Sequence, residues 1–166
     1  MNYAFFNEQI TGNWIVQSTN YSSKQNSNFI EILTNQVIYT HLKNTKFYLK
    51  LLSHDLNFNF SKKKIEIYSI EYKNKTNSNN RQYLLICYDQ NNKTSLLKFN
   101  HNFQYLNKFT VKTSSKKYLS IVSKNNNITI IEKIYFLNNN LKVIKTIVKK
   151  HEKDIAISFS SEIRIS

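Results

Sequence analysis

The stretch YLSIVSKNNNITIIEKIYFLNNNLKVIKTIVKKHEKDIAISFSSEIRIS, residues 118–166, decides the fold. Within it, runs in which apolar and polar residues alternate have the two-residue period of a strand with one buried face. The runs YLSIVS, ITIIEKIYF, LKVIKTIVK and IAISFSSEIRIS are separated by KNNN, NNN and KHEKD. Asn takes up left-handed backbone more readily than most residues, so these tracts supply the turn chemistry that Gly would otherwise give. Strands joined in succession by short turns form an antiparallel meander. The last run does not read like a fraying chain end. Ile155, Ile157, Phe159, Ser161 and Ile163 fall on one face, and Ala156, Ser158, Ser160, Glu162 and Arg164 on the other.

Upstream, QYLLICY and TSLLKF flank DQNNK as a further hairpin, and KKKIEIYSIEY (62–72) alternates before the polar loop NKTNSNN. Strands are also expected at 14–19 and over NFIEILT (28–34). The opening NYAFFNEQITGNW reads as a short helix with Phe5, Phe6 and Ile10 on one side, closed by Gly12, where positive φ is cheap only for glycine. Residues 35–46 fit neither period well; a short helix is the favoured reading. Residues 47–60 are apolar but irregular. About eight to ten strands in one meander have no free edge if they close on themselves. The expected fold is therefore all-β: an antiparallel up-and-down barrel with a short N-terminal helix. Without internal repeats or a linker, residues 1–166 read as a single domain.

The composition is one-sided: Gly 1, Pro 0, Tyr 11, Phe 11, and only two arginines, Arg81 and Arg164, among 24 basic residues. The favoured residue types have AT-rich codons. The net charge of +14 would ordinarily suggest an anionic partner. Here drift toward lysine and asparagine explains it, because the lysines are scattered and arginine, the best reader of bases, is scarce. Nucleic acid is therefore not an expected partner. No apolar run approaches the about 20 residues of a membrane-spanning helix, and no targeting segment is apparent. The lone Cys87 sits in the apolar run YLLICYD and reads as a buried, inert thiol. The four histidines show no metal-ligating spacing, and no metal is expected.

Three segments carry chemistry together. Gly12-Asn13-Trp14 stands at the entrance to the first strand, Glu132 interrupts an apolar strand face, and Arg164 lies on the last strand. Gly-x-Trp on a first strand with an arginine on the last resembles the lipocalin arrangement. There the arginine lies across the indole and closes the barrel by cation–π contact. Trp14 and Arg164 are thus the expected barrel closure.

The fuller resemblance is to the S-type phycobiliprotein lyases, the CpcS/CpeS family. It rests on Phe5-Phe6, Gly12-Asn13-Trp14-Ile15-Val16-Gln17-Ser18-Thr19, Glu132-Lys133-Ile134-Tyr135-Phe136, Asn140-Leu141-Lys142 and Ser161-Glu162-Ile163-Arg164. Residues 35–115 carry no motif that aligns. The resemblance implies a barrel like those of lipocalins and fatty-acid-binding proteins. It also implies a function: binding a linear tetrapyrrole (a bilin, phycocyanobilin or phycoerythrobilin) as substrate and attaching it by a thioether to a cysteine of a phycobiliprotein subunit. No tightly bound cofactor is implied, and Cys87 has no part in the transfer. Red-algal and cryptophyte plastids encode such proteins, which fits the codon bias and implies the chloroplast stroma. The sequence leaves a homodimer open.

A bilin is a long conjugated amphiphile with two propionates and basic pyrrole nitrogens, and an apolar cavity with a few charges would suit it. By the resemblance, Glu132 is the catalytic residue, facing the pyrrole nitrogens, and Lys142 and Glu162 bind the ligand, Lys142 through a propionate. The plainer alternative pairs Glu132 with a lysine at the barrel mouth. Glu162 faces the cavity only if the Ser/Ala/Glu face of the last strand is the inner one. The isoleucines of the other face would then need cover from outside, for which the N-terminal helix is the candidate. A three-residue turn over Asn138, Asn139 and Asn140 would place Glu132 opposite Thr146 and on the same side as Lys142. The chain departs from the family pattern at Ser18 and Ile144, where arginines are expected, and at Lys142, whose ammonium lacks the planar two-pronged grip of arginine. The rival function is a lipocalin-like carrier of a hydrophobic ligand without transferase activity.

Overall fold

A computed structural model describes residues 8–24, 27–42, 64–73, 80–88, 94–115 and 117–165. Ten antiparallel strands follow in order: β1 (Gly12–Lys24), β2 (Ser27–Leu42), β3 (Lys64–Lys73), β4 (Asn80–Tyr88) and β5 (Thr94–Phe99), then β6 (Tyr105–Ser114), β7 (Tyr118–Asn125), β8 (Ile128–Asn138), β9 (Leu141–Lys150) and β10 (Lys153–Arg164). Each pairs with its sequence neighbour, and β1 pairs with β10, so the sheet closes into an up-and-down barrel. The expected fold class is what the structure shows. No helix of the described residues is long and apolar enough to cross a membrane.

Of the opening helix, the described residues retain Glu8–Ile10; Phe5 and Phe6 lie outside the described residues. Gly12 takes φ 130°, the region open to glycine, and β1 begins there, two residues earlier than expected. The short helix favoured over residues 35–46 is not formed where the structure describes it. Residues 35–42 continue β2, which pairs with β1 on one side and β3 on the other. Two ladders of backbone hydrogen bonds outweigh the weak local pattern, and Val37 and Tyr39 turn inward as the strand period requires. Residues 47–60, the loop after β3 and the DQNNK turn fall outside the described residues.

The strand β6 had no counterpart in the sequence reading. Register shifts on both of its ladders, between Lys98 and Phe99 and between Val111 and Thr113, break the alternation that would have revealed it. Turns follow a similar logic. Asn126 supplies a left-handed residue as expected, but the β9–β10 turn puts both His151 and Glu152 at positive φ. The β8–β9 turn has a two-residue tip, Asn139 and Asn140, not the three-residue turn expected, because Asn138 pairs with Leu141. A bulge at Leu137 restores the even register, so Glu132 still lies opposite Thr146. The Asn138 side chain accepts a hydrogen bond from the Asn140 N–H (2.8 Å), which closes the tip without a left-handed residue.

The interior core gathers Ile10, Tyr68, Ile86, Leu96, Leu119 and Phe136. A second cluster, with Ile67, Leu85, Cys87, Leu97 and Phe99, lies on the opposite face of β3–β5. Cys87 therefore points away from the barrel interior.

Candidate functional site

Inside the barrel is a cavity of about 250 Å³. Ile70, Leu84, Leu96, Phe109, Leu119 and Ile121 give it apolar walls, and Glu132, Lys142, Glu162 and Lys98 bring charge into it. On β10, Ser160 and Glu162 line it in place of large apolar residues. The Ser/Ala/Glu face is thus the inner one. The isoleucine face is not covered as expected: Ile163 is 52% and Phe159 43% exposed. The described helical residues, Glu8–Ile10, lie at the Trp14 end of the barrel.

Two of the site residues form one unit. Lys142 and Glu162 are direct cross-strand partners, and their side chains meet at 2.8 Å while only 3% and 4% of each residue is exposed. The Lys142 ammonium also lies 4.1 Å from the centroid of the Trp14 ring and 4.4 Å from that of Tyr39. Burial pulls its pKa below 10.5, opposed by the Glu162 carboxylate and assisted by the Arg164 charge. On the same indole, the Arg164 guanidinium stands 4.6 Å from the ring centroid. Arg164 donates to the Glu8 carbonyl at 2.7 Å, and the Trp14 N–H donates to the Ile10 carbonyl at 3.0 Å. The end of the chain is built in: the N–H groups of Arg164 and Ile165 bond to Asn140 and Asn13 carbonyls.

Glu132 stands apart. It projects from β8 between Ile130 and Ile134, opposite Thr146 on β9 and Ile121 on β7. Among the described residues no ion pair involves it. Burial raises its pKa above 4.5; the Lys98 charge pulls the other way, and Glu162 adds to the rise. A carboxyl that binds its proton more tightly when folded stabilises the fold in acid. That contribution is complete below 4.5 and is lost as pH rises through the elevated folded value. Glu132→Gln should therefore gain stability relative to the parent as pH rises across that window, measured by denaturant titrations at several pH values. Parallel profiles would show that Glu132 ionises as freely folded as unfolded.

Lys98, Tyr39 and Tyr72 also line the cavity and were missed in the sequence. Tyr39 lay in the segment read as a helix. Lys98 sits in TSLLKF, where adjacent Leu96 and Leu97 give no clue to which phase is inward. Tyr39 is half-buried near both carboxylates, and loss of hydration first, then Glu162, raises its pKa well above 10.0.

No family model matches the chain. A chromophore lyase CpcS/CpeS homolog from Gracilaria tenuistipitata var. liui is 28% identical over 165 residues, covering 99% of each chain. The family resemblance holds across the whole chain. The S-type phycobiliprotein lyase CpeS from Guillardia theta superposes with a TM-score of 0.70. It is 17% identical, and the superposition covers 100% of this chain and 94% of that one, so it speaks for the barrel fold. Residues 35–115, which carry no motif that aligns, are included in both correspondences.

Proposed function

We propose that this chain is a chromophore lyase that binds a bilin in its barrel and attaches it to a cysteine of a phycobiliprotein subunit. The observation that carries this reading is the full-length correspondence to a chromophore lyase homolog. The cavity supports it chemically. At about 250 Å³ it lies below the usual ~300–1,000 Å³ of ligand pockets, so it suits part of a tetrapyrrole. The remainder would stay where a protein thiolate can reach it. A carrier that only protected its ligand would gain from enclosing all of it.

In this reading Glu132 is the catalytic residue, accepting hydrogen bonds from pyrrole N–H groups and balancing their charge. Lys142 and Glu162, held as a pair, present a polar base to the ligand. The acceptor thiolate adds to the exocyclic ethylidene double bond, a C–S bond forms, and the displaced electron pair takes a proton on the adjacent carbon. Nothing leaves, so the lyase need only orient the bilin and shield it from competing addition. Cys87 is buried on the far side of β4 from cavity-lining Leu84 and takes no part. Phycocyanobilin or phycoerythrobilin is the proposed substrate, and the plastid stroma the proposed site of action, supported by the AT-biased composition.

Coexpression with bilin-synthesis enzymes and candidate subunits tests the reading. A lyase leaves pigment on the subunit that survives acid denaturation, whereas a carrier binds pigment and transfers none. Glu132→Gln should shift the absorbance of bound bilin. An unchanged spectrum would remove Glu132 from contact with the chromophore.

A further inference from the structure

The cavity contains two lysines in very different states. Lys142 is already neutralised: its ammonium is held at 2.8 Å by Glu162 and faces the Trp14 and Tyr39 rings. A ligand carboxylate reaching it would have to displace Glu162, leaving a buried carboxylate without its cation. Lys98 carries no such tie. It is partly buried and lines the cavity from β5, one inward step beyond Leu96 of the core cluster. Among the described residues it takes part in no ion pair. Its charge acts on Glu132, yet β5 and β8 are separated by β6 and β7 around the barrel, so the two groups enter the cavity from different walls.

A half-buried cation over apolar walls, held in no ion pair, has lost part of its hydration, and a ligand carboxylate at contact distance would offset that loss. We infer that Lys98 is the carboxylate anchor of this cavity and that it, not Lys142, holds a propionate of the ligand. The assignment rests on the bilin-binding reading above. It fixes a polarity for the bound chromophore: one propionate on the β5 wall, the pyrrole nitrogens toward Glu132 on β8. The second propionate finds no free ammonium among the lining residues and stays outside the cavity. It also explains how the chain manages without arginine at Ser18 and Ile144. The free positive charge has moved to the opposite wall.

Esterification isolates this contact because it removes the ligand's charge and keeps its conjugated body. A charge-assisted hydrogen bond contributes about 1.5–3 kcal/mol, so free phycocyanobilin should bind the unmodified protein roughly 10- to 150-fold more tightly than its dimethyl ester. Lys98→Met should bring the free acid down to the affinity of the ester and leave the ester's own affinity unchanged. Lys98→Glu should invert the preference, which guards against reading a folding defect as lost recognition. Equal binding of acid and ester by the unmodified protein would overturn the assignment. So would a full preference for the acid retained in Lys98→Met. If neither form binds at all, the bilin reading itself fails and takes the assignment with it.

Discussion

Lys142→Met should destabilise the barrel by about 3–5 kcal/mol, seen as a lower urea midpoint with an unchanged m-value. The substitution keeps the length of the side chain, so little packing is lost. It removes the positive charge from a site where Glu162 is 4% exposed. It also removes the cation from the faces of Trp14 and Tyr39. The cost is that of a carboxylate left unpaired, so it should be largely recovered in Lys142→Met combined with Glu162→Leu. The cycle separates the value of the pair from the penalty of breaking it. The parent should also have a distinctive alkaline profile. Because burial lowers the Lys142 pKa below 10.5, the folded protein releases that proton before the unfolded chain does. The unfolded state then holds more protons in the window just under 10.5, and stability contributed by this group rises with pH there. Lys142→Met should lack that rise. A loss of under about 1 kcal/mol in the single variant would mean that Glu162 finds water or another partner on its own.

The same pair shows what a sequence can and cannot reveal. The alternation of residues 118–166 was enough to place four strands, since each of them pairs with its sequence neighbours in the meander. Which residues meet across a ladder is a different matter. Counting out from the His151–Glu152 turn sets Lys142 opposite Ser161. The structure shifts register between Asp154 and Ala156, and Lys142 then meets Glu162. One extra residue in a strand reverses which of its faces is inward. The bulge therefore decides that Ser160 and Glu162 line the cavity while Phe159 and Ile163 face outward. No residue type in KDIA announces it.

Other parts of the site were hidden for the same reason. On the β8–β9 hairpin the bulge at Leu137 compensates a shorter turn, so the facing of Glu132 and Thr146 came out as expected although the turn did not. Lys98 and Tyr39 were obscured by strands whose two faces are both apolar or whose pattern is irregular. A cavity-lining lysine in such a strand differs from a surface lysine only in its neighbours across the barrel. By contrast, the Gly12-x-Trp14 entrance and Arg164 were legible, because glycine, tryptophan and arginine are each so rare here that their placement stands out.

Trp14→Ala should cost about 3–5 kcal/mol, the range for deleting a large buried aromatic. The indole is 1% exposed and carries three separate tasks. Its N–H satisfies the Ile10 carbonyl, fixing the helical residues Glu8–Ile10 against the barrel end. Its ring meets Lys142 at 4.1 Å and Arg164 at 4.6 Å, two cations that no other described aromatic ring brings together. Two further variants divide these tasks. Trp14→Phe keeps a ring but loses the donor, and a buried carbonyl left without its partner costs about 1–3 kcal/mol. Arg164→Met keeps the stem over the indole and loses the charge, with a cation–π contact of about 0.5–2 kcal/mol and the hydrogen bond to the Glu8 carbonyl. The order of damage should be Trp14→Ala first, then these two, with exposed lysines such as Lys112 near zero. Because Trp14 is the single tryptophan, its emission reports unfolding directly in every variant that keeps it, and circular dichroism serves the others. Arg164→Met as harmless as Lys112→Met would mean that the guanidinium rests on the indole without holding the barrel end shut.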